Sequence, residues 1–205
     1  MNGTSERNRP AVGAVLAGGR GSRLGGSKAT VELAGRALID YPLGAVATGG
    51  LEPLVVAKPG TELPPLDVEV IREQESPRHP LCGIVAALRY AGERPLVVVG
   101  CDMPFVSSPL LTWLGSAREP LIFPSMDGHL QPLPGRYERG LLPALERALA
   151  AEASLQSAIE SLRPRLVGNE ELARFGEPCR LCFNVNTPAD LEAAERMLET
   201  INDRA

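Results

Sequence analysis

The stretch from Ala11 to Lys28 constrains the chain more than any other. Ala11-Val-Gly-Ala-Val-Leu16 is a short, partly β-branched apolar run, and it empties directly into Ala17-Gly-Gly-Arg-Gly-Ser-Arg-Leu-Gly-Gly-Ser-Lys28. The run reads as a buried strand. The loop after it holds five glycines and three cations, Arg20, Arg23 and Lys28. Glycine lets successive backbone N–H groups converge on anionic oxygens, and the cations supply countercharge. A strand running into such a loop is suited to holding phosphates.

Residue order separates three phosphate-binding readings. A P-loop needs Gly-Lys-Ser/Thr, and here Lys28 is followed by Ala29. The dinucleotide fingerprint needs G-x-G-x-x-G opening a helix, and Leu24 occupies its last glycine position although Asp40 lies at a suitable distance downstream. A nucleotidyltransferase loop wrapped around a nucleoside triphosphate fits every residue and is preferred.

The rest of the chain alternates apolar runs with amphipathic segments. Strands are expected at Leu54–Ala57, Val68–Ile71, Leu96–Gly100, Leu121–Phe123 and Leu130–Leu133, with a strand-like piece at Phe183–Asn186. Helices are expected from about Tyr41 to Ala47, Leu81 to Tyr90, Ser108 to Trp113, Leu141 to Ala153 and Ser154 to Leu162. A last helix runs from a cap at Thr187, with Pro188 first and Asp190 in the opening turn, to about Ile201. Lys58–Pro65 reads as a loop without regular structure. Continuous apolar strands alternating with helices indicate an α/β, doubly wound, mostly parallel sheet flanked by helices, Rossmann-like in style. With 205 residues the expectation is a flexible tail over 1–9 and one domain over 10–205. A net charge of −4 offers no footprint for nucleic acid or anionic membrane. No segment approaches a membrane span, and Met1–Arg9 has no apolar centre of the kind a signal peptide needs. Four cysteines in such a chain read as reduced thiols, hence the cytoplasm.

Ligands in doubly wound sheets sit at the carboxyl ends of strands. Both the glycine loop and Asp102, which follows Leu96-Val-Val-Val-Gly100, fall at such ends. Mg²⁺ prefers one or two carboxylates plus substrate phosphates, which makes Asp102 the candidate metal ligand. Lys28 is the candidate charge on the triphosphate as its α–β bond breaks. Asn184 and Asn186, alternating on a strand, would share one face. Cys179 and Cys182 form a lone C-x-x-C pair without a second pair to complete a zinc site.

Leu16-Ala-Gly-Gly-Arg-Gly-Ser-Arg-Leu-Gly25 with Lys28 resembles the signature of the molybdenum cofactor guanylyltransferases and related nucleotidyltransferases. Pro80-Leu-Cys-Gly83, Cys101-Asp-Met-Pro104, Gln131-Pro-Leu133 and Phe183-Asn-Val-Asn-Thr-Pro-Ala-Asp190 follow in that family's order, so the likeness spans about Val12 to Leu191. The resemblance implies Mg²⁺-dependent transfer of GMP from GTP to the terminal phosphate of molybdopterin, with transient contact to a molybdoenzyme or its chaperone. It implies catalytic roles for Lys28, Asp102 and Arg23. Nucleotide contacts fall on Leu16, Ala17, Gly18, Gly19, Arg20, Gly21, Ser22, Lys28, Glu73, Gly83 and Asp102. The acceptor falls to Gln131, Asn184 and Asn186. Two departures stand out: Ser27 where the family commonly has aspartate, and His79 where it often has glycine. They leave room for CTP or another phosphorylated acceptor, or for a non-catalytic nucleotide-binding relative.

Overall fold

The computed structural model describes residues 9–21, 24, 26–74 and 79–202, with the backbone alone at 20–21 and 201–202. Ser22 and Arg23, residues 1–8 of the expected tail over 1–9 and the side chain of Arg20 lie outside the described residues.

The chain opens with β1 (Val12–Leu16), β2 (Arg20–Gly21), β3 (Gly26–Ser27), β4 (Glu32–Leu33), β5 (Arg36–Ala37) and α1 (Asp40–Thr48). It continues through β6 (Glu52–Ala57), β7 (Glu69–Arg72), α2 (Pro80–Ala91), β8 (Leu96–Gly100), α3 (Ser108–Ser116), β9 (Leu121–Met126), β10 (His129–Leu130) and β11 (Gly135–Tyr137). Then come α4 (Leu142–Ala150), α5 (Leu155–Ser161), β12 (Arg165–Val167), α6 (Asn169–Leu172), α7 (Pro178–Leu181) and α8 (Pro188–Asn202).

One eight-stranded sheet runs in the order β10-β9-β11-β8-β1-β6-β7, with β12 alongside β9. Its centre, β8-β1-β6-β7, is parallel. β8, β1 and the Leu54–Ala57 part of β6 are the continuous apolar runs expected of strands buried on both faces, while β7 closes the edge with Glu69 and Arg72 exposed. β11 is antiparallel to both β8 and β9, which makes the sheet mixed. Side chains alternate between the two faces. Val12 and Ala14 of β1 join a core with α2, α4 and α5, while Val15 joins a second core with α1 and α3. Full burial of a leucine- or isoleucine-sized side chain is favourable by about 1.5–3 kcal/mol. Leu54, Leu81, Ile84 and Leu88 are wholly buried on one side, and Ile39, Leu111 and Ile122 on the other.

Helix starts follow the local chemistry. Pro80 and Pro109 lie in the first turns of α2 and α3, where a missing N–H costs nothing. The cap of α3 is Ser107, one residue earlier than the sequence suggests, its Oγ accepting from Leu110 N at 3.4 Å. β10 stops at Leu130 rather than continuing to Leu133, because Pro132 has no N–H to give a ladder. None of the four cysteines forms a disulfide. Among the described residues no helix is long and apolar enough to cross a membrane.

A third, smaller core matters most for the site. Leu33 and Leu38, from the β4–β5 hairpin, bury against Val185 and against Ala194 of α8. The chain's C-terminal segment is thereby packed beside the loop that follows β1.

Candidate active site

The carboxyl ends of β1, β6, β7 and β8 open on one rim, and there a cleft of about 990 Å³ lies between the glycine loop, the Lys58–Glu62 turn and the start of α2. Leu16, Gly18, Gly19, Lys28, Glu73, Gly83 and Asp102 all line it, as do Gly26, Ser27, Lys58, His79 and Leu133. The glycine loop returns on itself through the β2–β3 ribbon, in which Arg20 pairs with Ser27. That return delivers Lys28 to the cleft.

At the mouth, Lys28 Nζ donates to Asp102 Oδ2 at 2.6 Å and to Asn186 Oδ1 at 2.5 Å. Both side chains of the ion pair are mostly buried, at 14% and 17% exposure. Asp102 is held from two directions. Its backbone carbonyl accepts from Val185 N at 2.9 Å, and a Cβ at Gly100 would collide with its Oδ1. Residue 100 must therefore be glycine for the carboxylate to fold back over the strand end.

Asn186 arrives by a route the sequence does not suggest. Phe183–Asn186 is unpaired, not a strand, because its backbone bonds go elsewhere. Val185 N binds Asp102 O, Phe183 packs edge-on against Phe105 at 5.9 Å, and Asn184 Nδ2 turns back to Cys182 O at 2.7 Å. Asn186 N and Thr187 N donate to Asp190 Oδ2 at 3.0 and 2.8 Å, while Asp190 N donates to Thr187 Oγ1 at 3.2 Å. This is a reciprocal cap on α8. The N–H from Asn186, above all, holds the Asp190 carboxyl below its ordinary range, and the nearby Lys28 charge adds to this.

A second cluster sits deeper. Glu73 is 7% exposed. Its Oε1 lies 3.3 Å from Lys58 Nζ, and its Oε2 is buried with no hydrogen-bond partner. A Cβ at Gly18 would fall 2.5 Å from Oε1, and one at Gly83 3.2 Å from Oε2. Two glycines thus clear the space around this one carboxylate. Burial pushes the Glu73 carboxyl up, and Lys58 only partly opposes it. His79 caps α2, its Nδ1 accepting from Leu81 N at 3.2 Å, which leaves the proton of the neutral ring on Nε2. Burial, then Lys58, lowers its pKa.

Ala17, Gln131, Asn184 and Asn186 do not themselves line the cleft. Ala17 is wholly buried with its N–H on Val56 O at 2.8 Å, Asn186 reaches the mouth only through Lys28, and Gln131 Nε2 donates to His129 O at 3.4 Å. Lys58 is the residue sequence reasoning missed. The available signal was its position directly after the second apolar strand, at the same rim as Asp102.

The chemistry of the mouth suits a hard divalent cation. Among the described residues no group of three or more His, Cys, Asp or Glu side chains forms a cage. Two hard oxygens, from Asp102 and Asn186, already converge on one cation, and Mg²⁺ takes few protein ligands when phosphates supply the rest.

A family model described as MobA-like NTP transferase domain matches residues 13–166. The chain is 32% identical to a probable molybdenum cofactor guanylyltransferase of Pelotomaculum thermopropionicum, covering 92% of this chain and 94% of that one. It is likewise 32% identical to the molybdenum cofactor guanylyltransferase of Rhizobium johnstonii, covering 93% and 94%. The crystal structure of molybdopterin-guanine dinucleotide biosynthesis protein A from Archaeoglobus fulgidus superposes with a TM-score of 0.78 at 28% identity, over 92% of this chain and 98% of that one. A 2-C-methyl-D-erythritol 4-phosphate cytidylyltransferase from Thermus thermophilus shares the fold, with a TM-score of 0.67 at 21% identity over 92% and 99%. With that family model matching residues 13–166 and relatives 32% identical over more than nine-tenths of the chain, the chain belongs to the MobA-like NTP transferase family and is a nucleotidyltransferase.

Proposed function

We propose that the protein transfers GMP from GTP to the terminal phosphate of molybdopterin, releasing pyrophosphate, in the cytoplasm. The juxtaposition of Lys28, Asp102 and Asn186 at the mouth of the cleft carries this reading. Relatives named as molybdenum cofactor guanylyltransferases support the acceptor.

An acceptor phosphate oxygen attacks the α-phosphorus, the bond from that phosphorus to the bridging oxygen breaks, and pyrophosphate leaves. A phosphate monoester has a second pKa of about 6, so the acceptor is largely a dianion at neutrality and needs no general base. The residues therefore act by positioning and by countercharge. N–H groups from Gly18 to Ser27, with Arg20 and Arg23, cradle the triphosphate, the Ala17 N–H being already given to Val56 O at 2.8 Å. Lys28 leaves Asp102 for the phosphates, where its charge meets the charge developing on the leaving group. Asp102, with Asn186 beside it, would hold Mg²⁺. When bound, that ion screens the two anions from each other and polarises the α-phosphate. Glu73 accepts N–H groups from the base, and Asn186 orients the acceptor, with Asn184 and Gln131 as further candidates there. Release of the product implies transient contact with a molybdoenzyme or its chaperone.

The test is pyrophosphate release from each of the four nucleoside triphosphates with molybdopterin. GTP should be turned over at least tenfold faster than CTP. Turnover with CTP alone would overturn the guanine assignment, and turnover with none would favour a non-catalytic relative.

A further inference from the structure

The base end of the cleft holds a charge pair whose bonding is incomplete on both sides. Lys58 Nζ has three N–H donors. It reaches Glu73 Oε1 and the Gln74 carbonyl, each at a long 3.3 Å, which leaves one donor unassigned. Glu73 Oε2 is buried and unpartnered beside it. A buried carboxylate oxygen left without a partner is costly, so its persistence next to a cleft points to a ligand that completes it. The backbone of Lys58 is itself pinned, because Arg72 Nη1 donates to its carbonyl at 2.9 Å and Thr61 N donates to the same oxygen at 3.1 Å. The side chain also packs on the strand end, its Cγ lying 3.3 Å from where a Cβ at Gly18 would stand. A pinned donor and a free acceptor, side by side, form a two-point template.

We propose that Lys58 is a specificity-determining residue: its ammonium donates to guanine O6 while Glu73 Oε2 accepts from guanine N1–H and N2–H. This deepens the reading above and rests on it. The pattern, donor beside acceptor, matches the guanine edge, which offers one acceptor and then two donors. Cytosine presents its N4–H₂ donor where guanine presents O6. It would set that donor against Lys58 and its ring acceptors against Glu73. Adenine fails for the same reason at N6–H₂ and N1. Uracil matches the first two groups through O4 and N3–H but lacks the second donor and the width of a purine. Discrimination arises as much from these repulsions as from the attractive pairing. Lys58 also opposes the upward push that burial gives the Glu73 carboxyl, favouring the charged form that accepts.

Calorimetric binding of GTP, 6-thio-GTP, ITP, UTP and CTP in Mg²⁺ to the full chain and to Lys58→Met, Lys58→Arg and Glu73→Gln tests this. In 6-thio-GTP the O6 acceptor is replaced by a poorly accepting sulfur while both N–H donors remain. The native protein should bind GTP at least tenfold more tightly than 6-thio-GTP, and UTP more tightly than CTP. Lys58→Met should bring the first ratio near one, and Lys58→Arg should restore it in part. Glu73→Gln should erase the preference for GTP over ITP, which lacks the N2 amine. A GTP to 6-thio-GTP ratio in Lys58→Met equal to that of the native protein overturns the role of Lys58 while leaving the guanine reading intact. A native protein that prefers CTP overturns both. Melting curves for each variant separate lost recognition from lost folding, and a folded Lys58→Arg that recovers none of the ratio also counts against the proposal.

Discussion

Lys28 and Asp102, 74 positions apart in the chain, meet as an ion pair of 2.6 Å at the mouth of the cleft. The lysine occupies the place a divalent cation would take on that carboxylate. Metal and nucleotide should therefore bind together, because the triphosphate draws Lys28 away as the cation arrives. In Lys28→Met, Mn²⁺ titrated by electron paramagnetic resonance should bind the nucleotide-free protein more tightly than it binds the native one. Pyrophosphate release should fall by about 10²–10³, the loss typical when one stabilising group is removed from a developing anion. An unchanged Mn²⁺ affinity would show that Lys28 does not guard the site.

Asp190 acts on the same mouth at one remove, through the N–H groups of Asn186 and Thr187. Asp190→Ala should cost about 1 kcal/mol as a lost helix cap, or about 2–4 °C in Tm for a chain of this size. It should also raise KM for the acceptor more than it lowers kcat. The pKa of Asp190 is lowered on folding. Its contribution is accordingly present above its unfolded value of 3.8 and is lost as pH falls through the lowered one. Asp190→Asn should flatten that acid limb in melting curves.

Glu73 has the opposite sign. Burial raises its pKa above the ordinary 4.5, with Lys58 opposing. Its contribution to stability is full below 4.5 and is lost as pH rises through the raised value. Guanine recognition needs the charged carboxylate, so GTP affinity should rise over the same interval. His79, across the same cleft, has a lowered pKa and titrates below 6.5. Measuring GTP affinity and Tm against pH in the native protein and in Glu73→Gln separates the two groups. Opposed slopes that vanish in the variant are expected, and parallel slopes would contradict the assignment.

Gly100 and Gly18 each leave space for a carboxylate. Alanine at 100 would drive its Cβ into Asp102 Oδ1, and alanine at 18 would bring its Cβ to 2.5 Å from Glu73 Oε1. Gly100→Ala should lower kcat sharply with GTP binding largely kept, whereas Gly18→Ala should weaken GTP binding. Steady-state kinetics beside calorimetry distinguishes them, and identical effects from both would count against two separate subsites.

The parallel centre of the sheet was legible because β1, β8 and the Leu54–Ala57 part of β6 are apolar without interruption, and such a run reports burial on both faces. Lys28 and Asp102 were legible because each follows such a strand within a motif. The antiparallel β11 and the short β12 were not, since three-residue strands carry too little pattern. Phe183–Asn186 alternates like a strand yet pairs with none, because Val185 anchors to the Asp102 carbonyl and packs beside Leu33 and Leu38. Such long-range partners leave no local mark. Lys58 was hidden by the loop composition around it.

The most direct measurement is a crystal structure with Mg²⁺ and a GTP analogue methylene-bridged between the α- and β-phosphates. The triphosphate should lie in the loop from Ala17 to Ser27 with Lys28 Nζ moved from Asp102 onto phosphate oxygen. The cation should sit on Asp102 and the guanine edge between Lys58 and Glu73. A nucleotide bound elsewhere, or one seated in the cleft with the Lys28–Asp102 pair still closed, would contradict the proposed chemistry.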